Sequence, residues 1–600
     1  MTSEFDFVIV GGGTAGLVLA TRLSEDANVQ VLVIEAGEDL SADPRVKIPA
    51  MWPQLQGTDS DWQLKSVPQD ALAGREMAIA QGRLLGGSSA LNAMNFVVGA
   101  KEDLEAWAQL GNPGWDWESF SKHLKKTYTV TDGLKTENDG AIQTNIPEEE
   151  TKWPRIWRDT LAGLGYPAYN DPVSGDIHGV VLYPDAVHPK TKTRSYASNA
   201  YLAPAQDRPN LTVWTGVTVD KILFDKAADD AVATGVLYTK NGQTLTVAAR
   251  KEVILSAGVF HSPKILELSG IGDAKLLQSL GIDVVVDNPY VGENLQHHPL
   301  SVLSFETVDD GEPGFDTIDA LARQDPDAIA AATAAYSTGR GPLSRTNCNT
   351  MAHLPFPGLT TDAGKRDAEA LLATLTTPQQ HTKTTPAYTA AATALTAATL
   401  TTPTSASGYY VFVPCRAPEP SNSPSPPSTS TSTLPSPSQH ITIAALLTRP
   451  LSRGSTHITS ANPAAKPAID PRYLTHPADR ATLARHARFI EQTLSAAEPL
   501  AGRLRLRRDD GAAGLASEDM GDVEGRFLSE RAGASTLYTS TCSMMPREVG
   551  GVVDAELRVY GTRNVRVVDA SVMPFITRGD TMATVYGIAE KAAVEIRGGL

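Results

Sequence analysis

The 600-residue chain is poor in cysteine and has no histidine after His486. Its three cysteines, Cys348, Cys415 and Cys542, cannot form a disulfide framework, and their spacing matches no metal site. No apolar stretch approaches the ~20 residues that a membrane-spanning helix needs. Residues 1–4 do not begin a signal peptide, because no basic region precedes an apolar run there. We therefore expect a cytoplasmic protein that has no metal and no membrane partner.

Positive charge is also in deficit. The chain carries 52 Lys and Arg against 68 Asp and Glu, which gives a formal net charge of −16. Binding to a phosphate backbone requires a basic surface, so this balance argues against a nucleic-acid partner. A hydrophobic fraction of 41% is typical of a globular enzyme with a large core, and nothing in the composition indicates an oligomeric state.

A glycine motif follows the first apolar run. Residues 5–10 read as a buried strand, and Gly11, Gly13 and Gly16 then form G-x-G-x-x-G before a helical pattern. The first glycine permits a tight turn, the second lets the backbone approach a pyrophosphate, and the third lets the helix pack on the strand. The sequence therefore predicts a dinucleotide site at the N-terminus of this helix.

Two further features narrow the choice of dinucleotide. A second predicted strand, residues 29–34, ends at Glu35, whose carboxylate can accept hydrogen bonds from ribose hydroxyls in FAD or NAD. Residues 82–92, GRLLGGSSALN, form another glycine and serine cluster that could bring hydrogen-bonding groups against a flat ring. This second cluster favours a flavin.

Together with residues 107–115, 258–272, 291–299, 567–574 and 589–592, these motifs resemble the glucose-methanol-choline (GMC) family of FAD oxidoreductases. The resemblance implies an α/β protein in which a Rossmann-type FAD-binding domain is interleaved with an α+β substrate domain built on an antiparallel sheet. It is strongest to intracellular fungal members of specialised metabolism.

The resemblance also implies domain boundaries. We expect an N-terminal FAD-binding region at 1–308 with substrate-domain insertions near 41–75 and 150–205, a substrate domain at 309–545, and a return to the FAD-binding domain at 546–600. Residues 418–439 are rich in Pro, Ser and Thr, and they cannot bury enough apolar area to offset chain entropy. We expect a disordered insertion there, without a catalytic part.

Carried over residue by residue, the resemblance implies FAD contacts from several separate segments. They are Gly11, Gly13, Thr14, Ala15 and Gly16 at the pyrophosphate, Glu35, Ala36 and Val219 at the adenosine, Gly87, Ser88, Asn92, Ala93 and Met94 at the flavin, and Asp569, Ala570, Thr581 and Met582 at the ribityl and pyrimidine end. In some relatives the position of Asn92 is a histidine joined covalently to the flavin. Asparagine cannot form that bond, so noncovalent FAD is expected.

The expected catalytic histidine is missing. In relatives it takes the proton of an alcohol while the carbon delivers hydride to flavin N5, and it stands in a Tyr-His-Pro phrase shortly before Thr-Cys. Residues 538–542 read YTSTC, so the histidine expected near Thr539 is absent together with its proline.

Two other residues are candidates for the catalytic role. The second catalytic position of the family, which is Asn or His in relatives, falls on Asp580. Asp580, if burial raises its pKa, and Tyr538 could each take part in proton transfer. Asp580 could instead cap the following helix, an interaction worth about 1 kcal/mol.

Three hypotheses follow. The leading one is FAD-dependent oxidation of an alcohol group on a small specialised metabolite, with the missing histidine either a real loss or an error in the gene model. The alternative is a non-redox cyclase or dehydratase with structural FAD, for which versicolorin B synthase, a polyketide cyclase that resembles this family, is a precedent. The third is an inactive binding protein. The substrate and the electron acceptor, and so the choice between oxidase and dehydrogenase, stay open at this point.

Overall fold

The computed structural model describes residues 5–132, 135–169, 171–225, 230–308, 311–379, 383–417, 438–505 and 519–599. All but the last two residues of the predicted insertion at 418–439 lie outside this described part. Among the described residues, no helix combines the length and apolarity needed to cross a membrane.

Strands and helices alternate along the chain. The strands are β1 (Phe5–Val10), β2 (Val31–Ile34), β3 (Leu64–Lys65), β4 (Ala78–Ile79), β5 (Tyr128–Asp132), β6 (Lys135–Glu137), β7 (Ile142–Ile146), β8 (Gly179–Leu182), β9 (Leu211–Trp214), β10 (Val217–Asp225), β11 (Val232–Lys240), β12 (Gln243–Leu255), β13 (Ile271–Gly272), β14 (Val286–Asp287), β15 (Pro299–Thr307), β16 (Thr350–Leu354), β17 (Gly408–Val413), β18 (His440–Leu447), β19 (Ser455–His457), β20 (Ala468–Asp470), β21 (Leu504–Arg505), β22 (Gly533–Ala534) and β23 (Val565–Val567). The α-helices are α1 (Thr14–Leu23), α2 (Pro44–Lys47), α3 (Ser88–Leu91), α4 (Lys101–Gln109), α5 (Trp117–Leu124), α6 (Trp153–Gly163), α7 (Gly258–Leu268), α8 (Ala274–Ser279), α9 (Asp319–Ala322), α10 (Pro326–Tyr336), α11 (Asp362–Leu372), α12 (Pro386–Thr401), α13 (Pro477–Phe489), α14 (Met520–Asp522), α15 (Leu528–Arg531) and α16 (Met582–Gly598).

The first sheet has the order β10-β11-β12-β1-β2-β9, with β23 beside β12. Strands β1, β2, β9, β12 and β23 are parallel, whereas β10, β11 and β12 form an antiparallel meander. All six residues of β1 are buried, as the apolar run predicted, because a parallel strand is covered on both faces. Strand β23 comes from the far end of the chain, so this sheet is assembled from both ends of the sequence.

Helix α16 is linked to α1, the helix that follows the first strand of this sheet. Arg22 of α1 forms an ion pair with Glu590 of α16 at 2.8 Å, and Tyr201 Oη donates a hydrogen bond to the same carboxylate at 3.1 Å. The Glu590 carboxylate is buried, so these partners compensate for its loss of hydration. The interaction fixes the C-terminal helix against the first strand–helix unit.

The second sheet is antiparallel, with the order β21-β15-β18-β17-β16-β8 and β22 beside β15. One of its faces is covered by α6, where Trp153 and Trp157 lie with ring centroids 5.8 and 5.4 Å from that of Phe412 in β17. The other face, which carries Tyr409 and Val411, lines the large cavity described below. This is the antiparallel sheet that the resemblance predicted for the substrate domain.

Candidate active site

A cavity of about 2250 Å³ is lined by residues of both sheets. It extends from the C-terminal end of β1 to strands β17 and β18 of the antiparallel sheet. Every residue expected at the cofactor or catalytic site lines this cavity, with the exception of Gly16. A Cβ on Gly16 would lie 2.0 Å from the carbonyl oxygen of Gly11, so Gly16 serves close backbone packing behind the wall.

Two glycine loops form a cradle for a pyrophosphate. Gly11 has φ +106°, and a Cβ there would lie 2.4 Å from the carbonyl oxygen of Ser256. A Cβ on Gly87 would lie 2.7 Å from the Cα of Gly13, so this close approach of the two loops requires glycine at position 87. Gly13 is the N-cap of α1 and no side chain caps that helix, which leaves its first amides able to bind an anion.

The adenosine part of the cradle is built around Glu35. Its Oε2 accepts a hydrogen bond from the amide of Gly12 and its Oε1 one from the amide of Gly37, both at 2.8 Å. Burial raises the pKa of Glu35 to about 7, although these backbone hydrogen bonds oppose the shift. Each oxygen keeps an acceptor position for a ribose hydroxyl. Nearby, the β10–β11 register shifts after Val219, which also lines the cavity. The donor set and the space therefore fit FAD.

The flavin-lining turn depends on Arg194, which sequence reasoning missed. Its guanidinium, with the residue 1% exposed, donates to Ser89 O at 3.1 Å, Asn92 O at 2.8 Å and Asn92 Oδ1 at 2.9 Å. The amide of Met94, a residue with φ +61°, donates to the same Asn92 oxygen at 3.1 Å. Burial lowers the pKa of Arg194 to about 9. An arginine distant in sequence thus holds the turn in place, and no local motif marks it.

Asp580 lies in the wall of the cavity and is partly exposed to it. Helix α16 begins at Met582 with Thr581 as its N-cap, so the alternative prediction that Asp580 caps this helix is wrong. The side chain of Asn95 instead lies close enough to the Asp580 carboxyl to influence its protonation. Burial raises the pKa of Asp580 to about 7, and the interaction with Asn95 lowers it in part. Asn95 also contacts Cys348 Sγ, with its Nδ2 at 3.5 Å.

Tyr538 lines the cavity, but its hydroxyl is hydrogen-bonded to that of Tyr473, which does not. Burial raises the pKa of Tyr538 well above the ordinary value for tyrosine, so the phenol stays neutral. The ring of His297 stacks on Tyr473 with centroids 4.1 Å apart. The Tyr538 hydroxyl is therefore occupied by its hydrogen bond to Tyr473. Tyr538 contributes to the cavity wall and does not present a free acidic group to a ligand.

Thr539, beside which the resemblance placed the missing histidine, is fully buried and does not line the cavity. Its amide donates to Gln296 O at 3.0 Å, and its carbonyl oxygen accepts from the amide of Gln296 at 3.2 Å. The Thr539 hydroxyl lies 2.8 Å from Ser540 Oγ, so it is hydrogen-bonded within the wall. Backbone pairing and burial therefore keep Thr539 from presenting a group to a substrate.

The histidines do not replace the missing base. Within the described lining, His261 is the one histidine, and it stacks on Trp62 at 4.0 Å. His298 directs its two ring nitrogens at the carbonyl oxygens of Leu447 and Thr577, at 2.9 and 3.1 Å. His353 is fully buried behind the wall and stacks on Tyr409 with centroids 4.5 Å apart. Burial lowers the pKa of His353 to about 3, so it does not take up a proton near neutral pH.

Comparison with known proteins identifies the same family along almost the whole chain. Two models described as GMC oxidoreductase match residues 5–300 and 450–589. Dehydrogenase citC of Monascus ruber is 35% identical over 98% of this chain and 96% of its own. An FAD-dependent oxidoreductase from Chaetomium thermophilum has a TM-score of 0.85 at 29% identity over 99% of both chains. A fungal aryl-alcohol oxidase structure has a TM-score of 0.83 at 26% identity over 100% of both chains.

Proposed function

The chain belongs to the GMC oxidoreductase family and binds FAD, and on that premise we propose that it oxidises an alcohol group of a small organic substrate. The observation that carries the proposal is Asp580, a carboxyl with a pKa of about 7 in the same cavity as the flavin-lining turn. Bound FAD supplies the hydride acceptor. The similarity to a fungal dehydrogenase supports a substrate from specialised metabolism, and the proposal includes a cytoplasmic site of action.

Asp580 acts as the general base in this proposal. Its ionised carboxylate accepts the hydroxyl proton of the substrate, and a pKa near the operating pH suits that task. Asn95 lies beside the carboxylate and favours its charged form. Asn95 therefore acts through Asp580, as a positioning residue. Tyr538 forms part of the cavity wall.

A second candidate function rests on the same pKa. Near pH 7 about half of the Asp580 side chains are protonated, and a neutral carboxyl can donate a proton. That property would suit a non-redox cyclase or dehydratase in which FAD has a structural role. The alcohol oxidation is preferred because it also uses the FAD site.

Anaerobic mixing of the FAD-loaded enzyme with primary and secondary alcohols tests the proposal. We expect loss of the oxidised flavin absorbance, with a rate that rises with pH to a plateau above about 8, one unit past the pKa of Asp580. Asp185→Asn is the matched control, because Asp185 is another buried carboxyl with a pKa raised by burial to about 7, and it does not line the cavity. Formation of product from a candidate substrate with the flavin unchanged would instead support the cyclase.

A further inference from the structure

The substrate side of the cavity has the shape of a slot along strand β17. Tyr409, Val411 and Val413 line the cavity, whereas Tyr410 and Phe412 are buried on the opposite face. This alternation follows from the two-residue period of a strand. At a rise of about 3.3 Å per residue, the strand carries the slot roughly 13 Å from Tyr409 to Val413. The lining continues to Cys415 beyond the strand.

The neighbouring strand extends the same floor. Leu446 pairs with Tyr409, Ala444 with Val411 and Thr442 with Val413. Leu446 and Thr442 also line the cavity. The hydroxyl of Thr442 donates to the carbonyl oxygen of Cys415 at 2.6 Å, so its hydrogen is committed within the wall. The floor therefore presents mainly methyl and methylene groups to a ligand.

Further apolar residues form a second part of the cavity wall. Ile318, Leu321 and Leu343 line the cavity and are each partly exposed to it. This wall is fixed to the end of the strand, because the amide of Ile318 donates to Pro414 O at 2.8 Å. The carboxylate of Asp319 accepts from the amide of Arg416 at 2.9 Å, which adds a second link. These two hydrogen bonds attach residues 318–319 to the chain at the end of β17.

The two ends of the slot differ in chemistry. At the end near Tyr409, the polar groups of Asp580, Asn95 and Cys348 line the cavity. Burial raises the pKa of Tyr409, and the charge of Asp580 raises it further, which is consistent with the two residues being neighbours. Towards Val413 the lining combines the aliphatic side chains of Val411, Val413 and Ile318 with Thr442, Cys415 and Arg416 at the far end. A ligand that suits this arrangement has one hydroxyl at its end and an apolar chain behind it.

We propose that the slot receives the unbranched chain of a long-chain primary alcohol, with the hydroxyl at Asp580 and the methylenes over Val411 and Val413. The reaction rests on the proposed function: the carbinol carbon loses hydride to FAD, Asp580 takes the hydroxyl proton, and the product is the aldehyde. The strand length corresponds to about ten methylenes, from carbon–carbon bonds of about 1.5 Å along a zigzag chain.

A series of straight-chain alcohols from butanol to hexadecanol tests this proposal. We expect the second-order rate constant for flavin reduction to increase by about three- to fourfold per added methylene, the value for burying one CH2 group, and then to level off. A profile that is flat with chain length, or that favours branched or aromatic alcohols over decanol, would overturn the slot.

Two substitutions locate the chain within the slot. Val411→Trp should move the chain-length limit to shorter alcohols than Val413→Trp, because position 411 is about 7 Å nearer the Tyr409 end. Val413→Ala is the matched control and should keep the wild-type limit or lengthen it. FAD content and thermal unfolding identify variants that fail to fold. The same limit in both tryptophan variants, with FAD content intact, would contradict the proposed path.

Measurements of alcohol binding can distinguish two outcomes: that the slot does not receive the chain, or that the protein does not oxidise alcohols. Dissociation constants for the same alcohols can be measured calorimetrically on the FAD-loaded enzyme under anaerobic conditions. Affinity that increases with chain length without flavin reduction would keep the slot and overturn the alcohol oxidation. Flavin reduction that is independent of chain length would keep the oxidation and overturn the slot.

Discussion

Replacing Asp580 by asparagine removes the carboxylate from the cavity and retains a side chain of the same size. If Asp580 is the base, flavin reduction by an alcohol should slow by about 10²-fold or more, the usual contribution of a positioned general base. The limb of the pH profile near pH 7 should disappear with it, because that limb reports the pKa of Asp580. FAD content should stay at the wild-type level, since the carboxylate is absent from the glycine cradle.

If Asp580 is not the base, replacing it by asparagine should accelerate flavin reduction, and the size of this acceleration can be calculated. Hydride transfer would leave negative charge on bound flavin, and a carboxylate in the same cavity would oppose it. Two unit charges about 7 Å apart repel by about 2 kcal/mol at an effective dielectric constant of about 20. If Asp580 only opposes this charge, the asparagine variant should reduce its flavin about 30-fold faster than the wild type. Stopped-flow measurement of flavin absorbance under anaerobic conditions distinguishes the two results. An acceleration would refute the assignment of Asp580 as base.

Replacing Asp580 by asparagine should also change how the free energy of unfolding depends on pH. The pKa of Asp580 is raised to about 7 in the folded protein, so the folded state retains a proton that the unfolded state releases at lower pH. The wild type therefore loses stability as the pH rises from about 4 to about 7. Asparagine does not titrate, so the variant does not lose stability in this way. Above pH 7 its free energy of unfolding should exceed that of the wild type by about 2 kcal/mol, after allowance for the partial exposure of Asp580. Urea unfolding at pH 5 and pH 8 measures this difference.

The remaining predictions concern the cofactor site and one ion pair. Arg194→Met should lower FAD affinity at least tenfold, because Asn92 and Met94 lose their anchor, whereas Arg194→Lys should restore part of it; equilibrium dialysis measures both. Gly87→Ala should abolish FAD binding, because its Cβ would lie 2.7 Å from Gly13 Cα; Gly74→Ala, with no heavy atom within 4 Å of its Cβ, is the control, and equal FAD content in the two variants would contradict this account. Burial opposes the shift, but hydrogen bonds to Glu267 and Glu293 raise the pKa of His457 to about 9. The wild type should therefore be about 2 kcal/mol more stable than His457→Gln below pH 6.5, and lose this advantage as the pH rises through 9. Urea unfolding at pH 6 and pH 9.5 tests this, and a difference that does not change with pH would contradict it.

The cofactor site could be predicted from the sequence because its requirements are local. A tight turn at Gly11, a close backbone approach at Gly13 and an acid at the end of the next strand are each specified by a few consecutive residues. The structure brings these residues together with Val219 and Asp569 in one cavity, as the resemblance implied. The two-sheet architecture was predicted on the same ground, because the motifs recur in family order along the chain.

The environments of Asp580, Thr539 and Arg194 could be known only from the tertiary structure. A sequence that places Asp580 just before a helix is compatible with a helix cap, and only the fold shows that its carboxyl lies beside Asn95 and loses hydration. Thr539 follows a residue of the cavity lining, yet its pairing with Gln296 holds it inside the wall. Arg194 has no motif, because its partners at Ser89 and Asn92 are distant in sequence.

Which face of β17 borders the cavity is likewise a property of the assembled sheet, because residues 409–413 are all aromatic or aliphatic and their sequence does not distinguish the two faces. Short-range backbone geometry was therefore determined by the sequence itself. Burial, charge neighbours and cavity shape were decided by contacts between segments far apart in the chain, since hydration and electrostatic interactions depend on distance in space.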